Sequence, residues 1–121
     1  MAVKSYAERI KEIDEYALKL KGLVPEAMGA FGQLSRAAQA PGVLEPVTKE
    51  LIALAIGVSQ RCDGCIAYHS RNLVRLGAER QAVAEMLAVT IQMGGGPTVN
   101  YAADALRAFD EFAAAAAPKT A

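Results

Sequence analysis

Apolar residues recur at helical spacing along most of the chain, and no segment shows the sustained alternation of period two that marks a half-buried strand. Ser5-Tyr6-Ala7-Glu8 has the form of a capping box. Tyr6, Ile10, Ile13 and Ala17 follow on one stripe, so a first helix is predicted, with Lys19, Lys21 and Gly22 suited to its C-terminal end. Pro25 opens a second helix through Met28, Phe31 and Leu34, and Pro41-Gly42 punctuates it. After a connector from Pro41 to Pro46 the chain reads VTKELIALAIGVS from Val47, and Leu51 to Val58 is apolar on all sides. A third helix here is predicted to be buried all round. A buried strand is the competing reading, disfavoured because Ala, Leu and Glu dominate the segment.

Ser59-Gln60-Arg61 is a polar break, and CDGCIAYHSRNLVRLG then reads as a fourth helix ending at Gly77, with both cysteines at its N-terminus. Glu79 to Met93 gives a fifth helix with Val83, Met86, Leu87 and Ile91 on one face. Gly94-Gly95-Gly96 ends it as a stop and tight turn; no Lys-Ser/Thr pair follows and no strand precedes, so a phosphate cradle is not indicated. Pro97 opens a sixth helix carrying Val99, Tyr101, Ala105, Leu106, Phe109 and Phe112. The expected architecture is all-α: one domain over residues 1–121 with about six helices, a core over about 20–115 and a frayed tail over 116–121.

Composition narrows the function. Thirteen Lys plus Arg balance thirteen Asp plus Glu, leaving no long-range field for nucleic acid or anionic lipid. The longest unbroken apolar stretch, Leu51 to Val58, is eight residues, far short of the roughly 20 needed to cross a bilayer. MAVKSYAERIKEIDEY lacks the apolar centre of a secretion signal, so a cytoplasmic location is expected. A hydrophobic content of 53% with a mean hydropathy of +0.18 is high for a small domain and points to self-association.

Two cysteines do not make a disulfide framework, and a C-x-x-C pair in a cytosolic chain reads as redox-active or metal-binding. On a helix Cys62 and Cys65 are neighbours on one face, close enough for a reversible disulfide. The positive end of the helix and Arg61 favour a thiolate there, whereas Asp63 opposes it. His69, four residues after Cys65, lies one turn along the same stripe. If the third and fourth helices form a hairpin turning near Gln60, Glu50 falls level with about Asn72, within a turn of His69. A carboxylate, an imidazole and a thiol in line are what an activated nucleophile requires, with Glu50 as a candidate proton carrier. Tyr68 and Tyr101 read as packed tyrosines with bonded hydroxyls rather than pocket residues.

Glu50, eleven intervening residues, Cys62-x-x-Cys65, three residues and His69 together resemble the signature of the AhpD-like alkylhydroperoxidases within the carboxymuconolactone decarboxylase family. KELIALAIGVSQRCDGCIAYHSRNLVRLGA and MGGGPTVNYAADAL are similar to that family's core, over about residues 43–110. The resemblance implies an AhpD-like helical fold assembling as a homotrimer or homohexamer, and a thiol peroxidase using hydroperoxides and a dithiol or lipoyl-type protein reductant, with no cofactor or metal. It implies Cys65 as peroxidatic, Cys62 as resolving, and Glu50 with His69 as the proton relay. The helix dipole alone favours Cys62 as nucleophile; proximity to His69 and the family pattern favour Cys65. Gly64 stands where the best-characterised pattern has a further histidine.

Three alternatives use the same residues. A general thiol-disulfide oxidoreductase needs the dithiol but no peroxide. A muconolactone decarboxylase has no need of a redox pair, so Cys62 and Cys65 argue against it. A zinc module would draw ligands from Cys62, Cys65, His69 and Glu50.

Overall fold

Local signals explain most helix ends in the computed structural model, which describes residues 5–118. α1 (Tyr6–Leu23) starts from the expected capping box: Ser5 Oγ accepts the Glu8 N–H at 3.1 Å and the Glu8 carboxylate accepts the Ser5 N–H at 3.4 Å. α2 (Pro25–Gln39), α3 (Pro46–Ser59) and α6 (Gly96–Ala116) each carry proline in the first turn, where the missing N–H costs nothing. α4 spans Asp63–Arg75 and α5 Arg80–Gly94. Among the described residues there are six helices and no strand, so the strand reading of Leu51 to Val58 is overturned.

Gly22 does not end α1. The helix runs through it, and Val24 (φ −135°, ψ 63°) supplies the break. The physical reason is Pro25, whose ring excludes the helical region for the residue before it. Val24 thus closes α1 through its N–H to Leu20 O at 3.0 Å and opens α2. Gly95 does act as the expected stop, at φ 76°, between α5 and α6.

α4 is the central element, packed on α6, α3 and α1. Leu54 and Val58 from α3, Ile66 and Leu73 from α4 and Val83 from α5 are fully buried, each adding about 1.5–3 kcal/mol of hydrophobic stabilisation. Ala102, Ala105 and Ala108 are buried along α6, and their small side chains permit close helix approach. Arg80 grips Asp110 with two bonds of 2.8 and 3.0 Å, joining the start of α5 to the far part of α6. Tyr6 and Ile10 bring α1 into the same core.

Two packing expectations change. α3 is not buried all round: Ile52 and Ile56 are about half exposed, at 46% and 51%. α2 buries no residue, and Phe31 and Leu34 are 65% and 63% exposed. An apolar pattern states which face wants cover, and only α1 and α3 pack on α2. At the other end α6 stays helical through Ala116; residues 119–121 of the expected tail lie outside the described residues.

Candidate functional site

The turn from α3 to α4 is built by hydrogen bonds that leave its residues little choice. Gln60 caps α3, the Arg61 N–H bonds Val58 O at 3.1 Å, and the Cys62 N–H bonds Gly57 O at 2.9 Å. This is a Schellman ending, which places the residue after the cap in the left-handed region. Arg61 occupies that position at φ 57°. The same motif ends α4, where Gly77 (φ 76°) bonds Val74 O and Ala78 bonds Leu73 O. There glycine meets the need without a side-chain penalty.

Cys62 is therefore the last residue of one motif and the first of the next. Its backbone completes the end of α3, and its Sγ accepts the Cys65 N–H at 3.1 Å as the N-cap of α4. Cys62 and Cys65 are joined as a disulfide, with Cα atoms 5.2 Å apart. α3 comes so close behind that a Cβ on Gly57 would sit 2.7 Å from Cys65 Cβ. On the other side α1 covers the segment between the cysteines: a Cβ on Gly64 would lie 3.0 Å from Ile13 Cδ1.

Glu50, in the second turn of α3, is buried, its side chain 8% exposed. The α3–α4 hairpin brings His69 to it, with Nδ1 2.6 Å from Glu50 Oε2. The other carboxylate oxygen, Oε1, accepts from Asn72 Nδ2 at 3.1 Å. His69 is 27% exposed. An ionised carboxylate only accepts, so Nδ1 donates and a neutral imidazole keeps its lone pair on Nε2. The four residues singled out in the sequence thus occupy facing stretches of one hairpin. Asn72 joins them, and its three-residue spacing from His69 is the sequence signal of that shared face.

The surroundings are polar and anchored. Arg61 lies over the Tyr101 ring at 5.9 Å, so Tyr101 supports the turn. The Tyr68 hydroxyl donates to Asp14 Oδ1 of α1, and Arg71 lies 5.3 Å over its ring. Burial, then the Asp14 bond, pushes the Tyr68 phenol up to about 12. Arg9 and Asp63 add an exposed pair at 3.9 Å between α1 and α4, too solvated to stabilise much. Among the described residues no three His, Cys, Asp or Glu side chains are grouped so as to hold a metal ion. No helix among the described residues is long and apolar enough to cross a membrane.

Comparison with known proteins agrees with this architecture. The model of the carboxymuconolactone decarboxylase family matches residues 25–108. The chain belongs to the carboxymuconolactone decarboxylase family. A member of it from Legionella pneumophila, solved in its apo form, superposes with a TM-score of 0.87 at 44% identity, covering 89% of this chain and 96% of that one. A Thermotoga maritima structure gives a TM-score of 0.71 at 30% identity over 88% and 90% of the two chains. An uncharacterized protein of Cupriavidus necator is 42% identical over 84% of this chain and 90% of its own. The expected family and the all-helical fold are thereby borne out. The family contains more than one activity, so the chemistry of this chain rests on its own residues.

Proposed function

We propose that this carboxymuconolactone decarboxylase family protein is a thiol-dependent peroxidase of the alkylhydroperoxidase kind. What carries the reading is the Glu50 to His69 contact, 2.6 Å long and one helical turn from Cys65. In the reduced enzyme His69 takes the Cys65 proton and Glu50 holds the resulting imidazolium. The Cys65 thiolate attacks one peroxide oxygen, an S–O bond forms as the O–O bond breaks, and the alcohol or water leaves with a proton. Cys65 is then a sulfenic acid. The Cys62 thiolate displaces water from it, forming the disulfide, and a dithiol or lipoyl-type protein returns two electrons and two protons by thiol exchange. The same reading has the protein working as a homotrimer or homohexamer.

Thiol counting before and after one equivalent of hydroperoxide tests the scheme. Wild type is expected to lose both thiols, Cys62→Ser to accumulate a trappable sulfenic acid on Cys65, and Cys65→Ser to consume no peroxide. Full activity in Cys65→Ser would rule the scheme out. One observation favours a general thiol-disulfide oxidoreductase instead: Gly64, packed under Ile13, supplies no second imidazole between the cysteines. Dithiol exchange that proceeds at full rate while peroxide leaves the thiols untouched would establish that reading.

A further inference from the structure

We infer that Asn72 is a positioning residue of the relay: its side-chain amide fixes the Glu50 carboxylate so that Oε2 faces His69 and the imidazole is held with its proton on Nδ1. The inference rests on the relay reading above and adds a residue to it.

The argument starts from the carboxylate. A buried carboxylate has two oxygens to satisfy, and rotation about its last side-chain bond is soft. His69 engages only Oε2. With Oε1 unheld, the carboxylate plane is free to turn and the Nδ1 bond loses its alignment. Asn72 Nδ2 removes that freedom from the other side, at 3.1 Å. Because Asn72 follows His69 by three residues, both groups descend from the same face of α4 onto one group of α3, a two-point grip on a single carboxylate.

The amide also sets the charge sense of the contact. An N–H donor favours an oxygen that accepts, which keeps Glu50 the acceptor in both of its bonds. His69 Nδ1 must then donate, and Nε2 is left as the base. Behind Glu50 the hairpin opens into a pocket of about 250 Å³ lined by Gln39, Pro46, Asn72, Arg75 and Leu76, in which Arg75 is the other charged side chain. Lys49, the neighbouring cation on α3, is turned away to Ala40 O. The sole histidine of the chain therefore takes its tautomer from Glu50, and Glu50 takes its orientation from Asn72.

That single histidine makes the test direct, since its ring nitrogens give one set of signals in a ¹⁵N spectrum. Wild type is expected to show the Nδ1–H tautomer at alkaline pH. In Asn72→Ala the two tautomers should mix, and the rate of Cys65 thiol reaction with hydroperoxide should fall about tenfold to a hundredfold, through kcat rather than KM. Asn72→Asp keeps the shape but replaces the donor with an acceptor, and should shift the tautomer further while thermal unfolding remains cooperative. An unchanged tautomer in both variants would overturn the inference, whatever the peroxide rate. If wild type consumes no peroxide but the tautomer moves as stated, the peroxidase reading fails and the positioning role stands.

Discussion

Arg61 stands where glycine would be easier. A left-handed conformation costs a non-glycine residue roughly 1–2 kcal/mol, whereas an exposed cation over an aromatic ring returns about 0.5–1 kcal/mol. The balance favours glycine, so Arg61→Gly is expected to raise stability by about 0.5–1 kcal/mol in denaturant titration. A clear loss would show that the contact with Tyr101 is the stronger effect. Gly57 presents the opposite case. A methyl group there meets Cys65 Cβ at 2.7 Å on two helices that cannot easily part, so Gly57→Ala should cost about 1–3 kcal/mol and slow disulfide closure, read by unfolding and by thiol titration. Neither property was legible in the sequence. The signal for a left-handed cap is glycine, which Arg61 lacks, and the close approach of Gly57 depends on a partner on the next helix. Glu50 and His69 were legible because a hairpin relates residues on either side of a turn by simple counting.

α1 is held to α4 by side chains distant in sequence: Ile13 over Gly64, and Tyr68 bonded to Asp14. No local pattern announces such contacts, and Tyr6, Ile10 and Ile13 told only that α1 had an inward face. Tyr68 carries a pH signature, set first by its burial and then by its bond to Asp14. The folded phenol holds its proton up to about 12, above the ordinary value of 10.0. Its contribution is therefore complete below pH 10 and is lost as pH rises from 10 towards 12. Thermal unfolding of wild type should weaken across that window more steeply than that of Tyr68→Phe; parallel curves would mean that neither burial nor the Asp14 bond holds the phenol's proton in the folded state. α2 shows the converse limit of sequence reading. Its apolar residues are spaced as one helix face, but amphipathicity carries no record of which surface will cover that face.

For the whole molecule, Phe31 and Leu34 on α2 and Ile52 and Ile56 on α3 leave apolar surface open that a chain with 53% hydrophobic residues would cover by self-association. Sedimentation is expected to find a trimer or hexamer, and Phe31→Glu with Ile52→Glu to shift it towards monomer; a monomeric wild type would remove the oligomer from the proposal. The disulfide encloses only Asp63 and Gly64, in a segment whose path is already set by the end of α3 and the cap of α4. Closing so short a loop removes little freedom from the unfolded chain. Thermal unfolding is therefore expected to move little when the disulfide is reduced, and the dithiol cycle proposed above would then run, like a battery whose shell does not soften on discharge, without taking the fold towards unfolding at each turnover.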